Sequence, residues 1–252
     1  MSLQDFLVLL CVLVVVGLCI HFVHERLEYT KQQQYGDVAG FIFGAVAVMY
    51  SVLLAFVAIV GWETLSTARQ TTQTEANELA NVYWISRSLP SPSGATIESL
   101  TLKYAETVTN KEWPLMGEGK VSPAADALIR QIRADLFGFT PRTDQQQVLY
   151  QQAVSSMQNL SGARRNRLDM LSEQLPEPLW VALVVGGVLA VGFCLAFGVE
   201  SKRAHIAMVL GYTAVVIILL LLIKDMQHPF GGNPHIRPSA FEEFLSLVRQ
   251  KP

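Results

Sequence analysis

Hydrophobic positions gather in four long stretches, 6–23, 38–62, 179–199 and 204–223, which fall in two pairs around a polar middle segment. The last three are long enough to span a bilayer, since crossing about 30 Å of hydrocarbon takes ~20 helical residues at about 1.5 Å each. The first is the shortest span. Lipid offers backbone amides no partners, and no stretch carries the alternating ten-residue pattern of a barrel strand, so the spans read as helices. The pattern predicts an all-α, polytopic membrane protein with four transmembrane helices in a 2+2 arrangement around a helical extramembrane domain. Its expected parts are a first transmembrane pair at 1–62, the extramembrane domain at 63–178, a second transmembrane pair at 179–223 and a Pro/Gly-containing tail at 224–252. Each pair reads as a helical hairpin, the first turning through a polar, Gln-rich segment at 24–37 and the second through Glu200-Ser201-Lys202-Arg203. The first stretch lacks a basic leading region and a small-x-small cleavage pattern, so it is expected to remain as a span.

Nothing between Gly61 and Leu89 stops a helix, so the second span is expected to continue out of the membrane through Leu65, Ala68, Thr72, Ala76, Leu79 and Tyr83. Pro90-Ser91-Pro92-Ser93-Gly94 then breaks it. A shorter helix carrying Ile97, Leu100, Tyr104 and Val108 is expected to end before Trp113-Pro114, followed by a turn at Met116-Gly117-Glu118-Gly119. Ser122 before Pro123 predicts a hydroxyl-capped helix start, with Leu128, Ile129, Ile132 and Leu136 on one face and Gly138 and Pro141 as the stop. A long helix is expected over 143–175. Its stripe of Leu149, Ala153, Met157, Leu160, Arg164, Leu168, Leu171 and Leu175 packs in a bundle or across a subunit interface. Pro176 and Pro178 separate it from the third span, which Trp180 opens as an interfacial anchor.

Composition narrows the function classes. The 252-residue chain is 51% hydrophobic and 16% charged with a formal net charge of −2, so it has no basic excess with which to bind nucleic acid. Cys11, Cys19 and Cys194 lie inside apolar stretches and read as packing residues. His21 and His24, with Glu25 and Glu28, could share a helical face, but without a third convincing ligand they too read as structural, and no metal or cofactor is expected. There is no Gly-x-Ser-x-Gly elbow, His-Glu-x-x-His helix or glycine-rich phosphate loop, and the spans hold no paired ionisable residues; neither an enzyme nor a proton-coupled transporter is expected. An even number of spans places both termini and the middle domain on one side. The basic residues flanking that side, Arg69, Arg164, Arg165, Arg167, Lys224 and Arg237, slightly outweigh Arg26, Lys31, Lys202 and Arg203 at the hairpin tips and favour a cytoplasmic middle domain.

Candidate chemistry concentrates on the second span, which combines Gly44, Ala45, Ala47, Ser51, Ala55, Ala58 and Gly61 with larger apolar residues. Small residues suit close helix packing or a narrow lumen. If several protomers each place this helix around a shared axis, Ser51, Ala55, Phe56 and Ile59 form a constriction that gates by dewetting, and Glu63, Glu75 and Glu78 form a charged vestibule. The alternative is a packing face followed by a solvated acidic one. Arg164, Arg165 and Arg167 read either as attractors of anions or lipid head groups, or as charges balanced locally by Asp169 and Glu173.

Several strings recur in a telling order: Leu54-Ala55-Phe56 and Trp62 with Ala68, Glu75 and Ala76; Tyr104 with Glu112-Trp113-Pro114; Arg164 and Arg167; Pro176 with Trp180; Asp225 with His228-Pro229-Phe230 and the following Gly231-Gly232. In this order and spacing they resemble the bestrophin-like family of bacterial and plant membrane proteins, the DUF4239 family, over nearly the whole chain. More remotely they resemble the bestrophins, pentameric anion channels with a helical cytosolic region. The acidic calcium clasp of animal bestrophins has no counterpart here, so calcium gating is not implied. What the resemblance implies is a homo-oligomer conducting ions passively across a bacterial inner membrane, with membrane lipid and inorganic ions as partners and five subunits by analogy. Under it Trp62, Trp113, Pro114, Arg164, Arg167, Trp180, Asp225, Pro229 and Phe230 take structural or interfacial roles. The competing expectation is a nonconducting scaffold or sensor whose helical domain recruits a partner.

Overall fold

A computed structural model describes residues 3–26, 29–172, 175–196 and 201–250, and among them every regular element is helical. In chain order these are α1 (Leu3–Arg26), α2 (Tyr29–Ser86), α3 (Ser93–Thr107), a π-helical turn (Val108–Glu112), α4 (Trp113–Gly117), α5 (Pro123–Phe137), α6 (Asp144–Asp169), α7 (Glu177–Ala196), α8 (Lys202–Met226) and α9 (Ser239–Arg249). Among the described residues, the segments long and apolar enough to cross a membrane are Gln4–Phe22, Gly40–Ser86, Glu177–Leu195 and Lys202–Met226. The described helices extend into the 24–37 segment expected to be the first polar turn. α1 runs on to Arg26 and α2 starts at Tyr29, because the Lys and Gln residues that follow are good helix formers. Two compact units result: Met1–Trp62 with Gln174–Gln227, and Glu63–Glu173 with His228–Pro252.

In the membrane unit, Tyr50, Leu54 and Val57 of α2 form a buried cluster with Leu183 and Ala190 of α7 and with Val216 and Ile223 of α8. Glycines on α7 make room for the Tyr50 ring of α2. A Cβ on Gly186 would lie 2.6 Å from Tyr50 Cδ2, and one on Gly187 would lie 2.9 Å from its hydroxyl. Near the end of the same unit, a Cβ on Gly61 would lie 3.1 Å from Met226 Cβ. Lys224 of α8 reaches Asp5 of α1 at 3.3 Å. Trp180 donates its indole N–H to Gln227 Oε1 at 3.2 Å, so it is tethered within the unit as well as placed at the start of a span.

The second unit is built around Leu79, Val82 and Tyr83 of α2, Ile97 and Tyr104 of α3, Ile132 and Leu136 of α5, Met157 and Leu160 of α6, and Phe241 and Phe244 of α9. Within the α6 stripe, Ala153, Met157 and Leu160 are buried in this unit's own core, and Leu149 and Leu168 pack partly buried against it. α6 also ends at Asp169, earlier than the expected 175: Leu171 and Ser172 fold back with bonds to Leu168 O and Asp169 O, and the Ser172 hydroxyl donates to the same Asp169 carbonyl. Thr143 caps its start, accepting the Gln146 N–H at 3.2 Å.

Other local expectations change for identifiable reasons. Trp113-Pro114 does not end the helix begun by α3. Proline has no N–H for the carbonyl of Asn110, so the turn before it widens to π geometry, Trp113 N–H bonding to Val108 O, and α4 carries on. Ser122 sits at the N-cap of α5, but its hydroxyl makes no cap bond; its backbone N–H instead points at Glu112 Oε1, 3.4 Å away. The tail from His228 onward is not merely loop. Phe241, Phe244, Leu245 and Val248 recur at helical spacing and make α9, which packs on α3 and the π turn. Gly231 permits the tail to lie against Gly117, whose carbonyl oxygen would be only 2.5 Å from an added Cβ. Trp113 completes the docking by donating to Ile236 O at 2.9 Å, edge-on to Phe230.

Candidate functional site

Charge is buried at the centre of the extramembrane unit. Five segments deliver it: Glu75 from α2, Tyr104 from α3, Glu112 from the π turn, Asp126 from α5, and Arg164 with Arg167 from α6. The i, i+3 spacing of the two arginines puts both on the buried face of α6. Arg167 grips Glu75 through Nε to Oε2 at 2.5 Å and Nη2 to Oε1 at 2.9 Å, and its Nη2 also reaches Glu112 Oε2 at 3.0 Å. Arg164 holds Glu112 through both terminal nitrogens at 2.7 and 2.8 Å, and Asp126 Oδ1 at 2.7 Å from Nη2. Tyr104 bridges the halves, donating to Glu75 Oε1 at 2.5 Å and accepting from Arg164 Nη1 at 3.0 Å. The faces of the guanidinium groups meet aromatic rings, Arg164 over Tyr104 and Arg167 over Trp113.

Ionisation follows from these contacts. Burial pushes the Glu112 carboxyl up, but the hydrogen bond from Arg164 and the charge of Arg167 outweigh it and hold the group below its ordinary range. Burial, reinforced by Glu75, pushes the Tyr104 hydroxyl well above its ordinary value and keeps it neutral. For both arginines burial lowers the pKa, and the surrounding acceptors more than reverse it, so each stays charged. Paired and hydrogen-bonded throughout, the cluster is a fixed ionic joint among helices.

This changes several expectations. Glu75, read as a vestibule carboxylate, is fully buried and has no face on solvent, because both its oxygens are taken by Arg167 and Tyr104. Arg164 and Arg167 are balanced by Glu75, Glu112 and Asp126 from other segments of the fold; of the local carboxylates expected to do so, Glu173 lies outside the described residues. Glu78 is partly covered and accepts from Asn81 and Asn159, each at 3.2 Å. Glu63 is exposed on α2.

On the membrane part of α2, Ser51, Ala55, Phe56, Ile59 and Trp62 all point away from the unit's own core. Phe56 is 66% exposed and Ile59 55%, and with Phe41, Val48 and Val52 they make a long uncovered apolar face. The Ser51 hydroxyl is satisfied by Ala47 O at 2.7 Å, so the wall it offers has little free polarity. Among the candidate structural residues, Trp113, Pro229 and Phe230 are buried, Pro114 follows the π turn, and Asp225 is partly covered near the end of α8. His21 Nδ1 lies 3.1 Å from Lys202 Nζ, and the side chains of His24, Glu25 and Glu28 lie outside the described residues. No cluster of three metal-ligating side chains occurs among the described residues.

The sequence reading missed Asp126, and it named Tyr104 and Glu112 without their partners. The available signal was Arg164 standing in an apolar stripe, which demands a buried carboxylate somewhere else in the fold.

Comparison with known proteins agrees with this architecture. The family model described as the bestrophin-like domain matches residues 10–241. A bacterial bestrophin homolog from Klebsiella pneumoniae superposes with a TM-score of 0.71 at 12% identity, covering 98% of this chain and 100% of that one. A point variant of that homolog gives a TM-score of 0.72 at 12% identity, covering 96% and 99%. A structure described only as a crystallised membrane protein variant gives 0.73 at 12% identity, covering 97% and 99%. No match was found among curated proteins.

Proposed function

The chain belongs to the bestrophin-like family, and on that premise we propose that it is one subunit of a homo-oligomeric channel that conducts inorganic ions passively across the membrane. The observation that carries this reading is the uncovered face of α2. Ser51, Ala55, Phe56 and Ile59 lie on the side of the helix that its own bundle leaves open, where copies of the chain arranged about an axis would bring them together. Phe56 and Ile59 then supply an apolar ring that excludes water when closed, and Glu63 supplies charge at the domain-side mouth. Glu75 has no part in that mouth. Its role is to join α2 to α6, so the helix proposed to line the pore is fixed at its extramembrane end by a buried ion pair. In this reading the membrane is a bacterial inner membrane, and the slight excess of basic residues flanking the extramembrane unit favours its cytoplasmic side.

Planar-bilayer recording of purified protein under a salt gradient tests the reading and reports the sign of the permeant ion. Unitary currents with a reproducible reversal potential are expected. Absence of current across voltage, pH and divalent-ion conditions, from protein shown to be oligomeric, would transfer the role to a nonconducting scaffold.

A further inference from the structure

We infer that the cleft between α5 and α6 is a binding site for a phosphate-bearing anion, either a soluble phosphate ester or a lipid head group. The cleft has a volume of about 310 Å³ and is lined by Arg130, Arg133, Arg164 and Arg165, with Asp126 as its acidic residue. Asp126 is already committed to Arg164, through bonds of 2.7 and 3.3 Å. Arg133 is steadied by donating to Ser161 Oγ at 2.7 Å, and that hydroxyl in turn donates to Met157 O at 2.8 Å. No ion pair among the described residues engages Arg130, Arg133 or Arg165.

A chain of net charge −2 thus collects an uncompensated positive cleft. Arg130 and Arg133 are one helical turn apart on α5, where like charges repel, and Arg165 of α6 adds a third. An anion relieves that repulsion. Guanidinium groups present planar, forked donors that match the several oxygens of a phosphoryl group better than a single halide, and the cleft is roomy enough for more than a bare ion. Arg164 of the buried network also borders the cleft, its own donors already committed to Asp126, Glu112 and Tyr104.

The experiment uses the full chain in phosphatidylcholine nanodiscs at low salt, with inorganic pyrophosphate as the probe and calorimetric titration as the readout. Saturable binding at one site per chain is expected, weakened at least tenfold in Arg130→Gln/Arg165→Gln and unchanged in Arg237→Gln. Both cleft residues are exposed and lie outside the buried network, so the variant retains its fold. Arg130→Lys/Arg165→Lys, which keeps the charge and removes the forks, is expected to bind several-fold more weakly than wild type. Nanodiscs containing phosphatidylglycerol separate the sources: loss of pyrophosphate binding there identifies a head group as occupant, and unchanged binding identifies a soluble ester. No saturable binding in the wild type overturns the inference, as does equal binding by the glutamine variant. A glutamine variant that loses oligomeric state while binding pyrophosphate normally also overturns it, and assigns the arginines to an interface between copies.

Discussion

Arg167 of α6 and Glu75 of α2 form a two-point ion pair with no exposure to solvent at either side chain, although they stand 92 positions apart in the chain. Cutting either half leaves a buried charge with its hydration already lost, which costs about 3–5 kcal/mol. Glu75→Leu and Arg167→Met are each expected to lower unfolding free energy by that order, whereas the double variant loses well under the sum. Denaturant unfolding of the four proteins in one detergent checks this. Strict additivity would show that the two residues act separately.

Acid should loosen the same joint. Glu112 has a folded pKa held below its ordinary value, so its contribution to stability is complete above the unfolded pKa of about 4.3 and is lost as pH falls through the folded value. Unfolding free energy is therefore expected to decline as pH drops below the ordinary carboxylate range. Glu112→Gln, less stable at neutral pH, should show a shallower decline. A variant with the full wild-type acid slope would assign the transition to other carboxylates.

The membrane unit offers a steric test. Gly186 has no room for a methyl group beside the buried Tyr50 ring, and overpacking of this kind costs about 1–3 kcal/mol. Gly186→Ala should melt earlier than wild type, and Tyr50→Leu should recover part of the loss in the double variant by opening space. Thermal unfolding in detergent reads both. An undiminished melting temperature in Gly186→Ala would mean that the helices separate freely at this point.

The membrane helices and the long reach of α2 were legible in the sequence because hydropathy and the lack of stop signals between Gly61 and Leu89 are local properties. The Trp113-Pro114 step was legible as an irregularity but not as a π turn, since a missing amide can end a helix or be absorbed by it depending on what packs around it. α9 carried its own periodicity in Phe241, Phe244, Leu245 and Val248, masked by the Pro/Gly run before it. Glu75 illustrates the deeper limit. On a helical wheel it is one of several acidic residues trailing a span, and only the placement of α3 and α6 against α2 decides that this carboxylate is buried while Glu63 stays exposed.

That division of labour makes a prediction for current. If α2 lines the conduction path, Phe56→Ala should widen or unseal its apolar ring and raise current at rest, because dewetting depends on the size and apolarity of the constriction. Glu63→Gln should leave the gate intact and change ion preference, read as a shift in reversal potential under a salt gradient, since it removes charge at the mouth without altering shape. Glu75→Gln should behave differently from both. It leaves Arg167 buried opposite a neutral amide, so its first effect is lower stability, and any change in gating should accompany that loss without a shift in selectivity. Bilayer recordings of the three variants, each paired with a melting curve, distinguish these outcomes. Wild-type currents in Phe56→Ala and Glu63→Gln would move the pore away from this face of α2, and a selectivity change in Glu75→Gln at unchanged stability would return that carboxylate to the ion path.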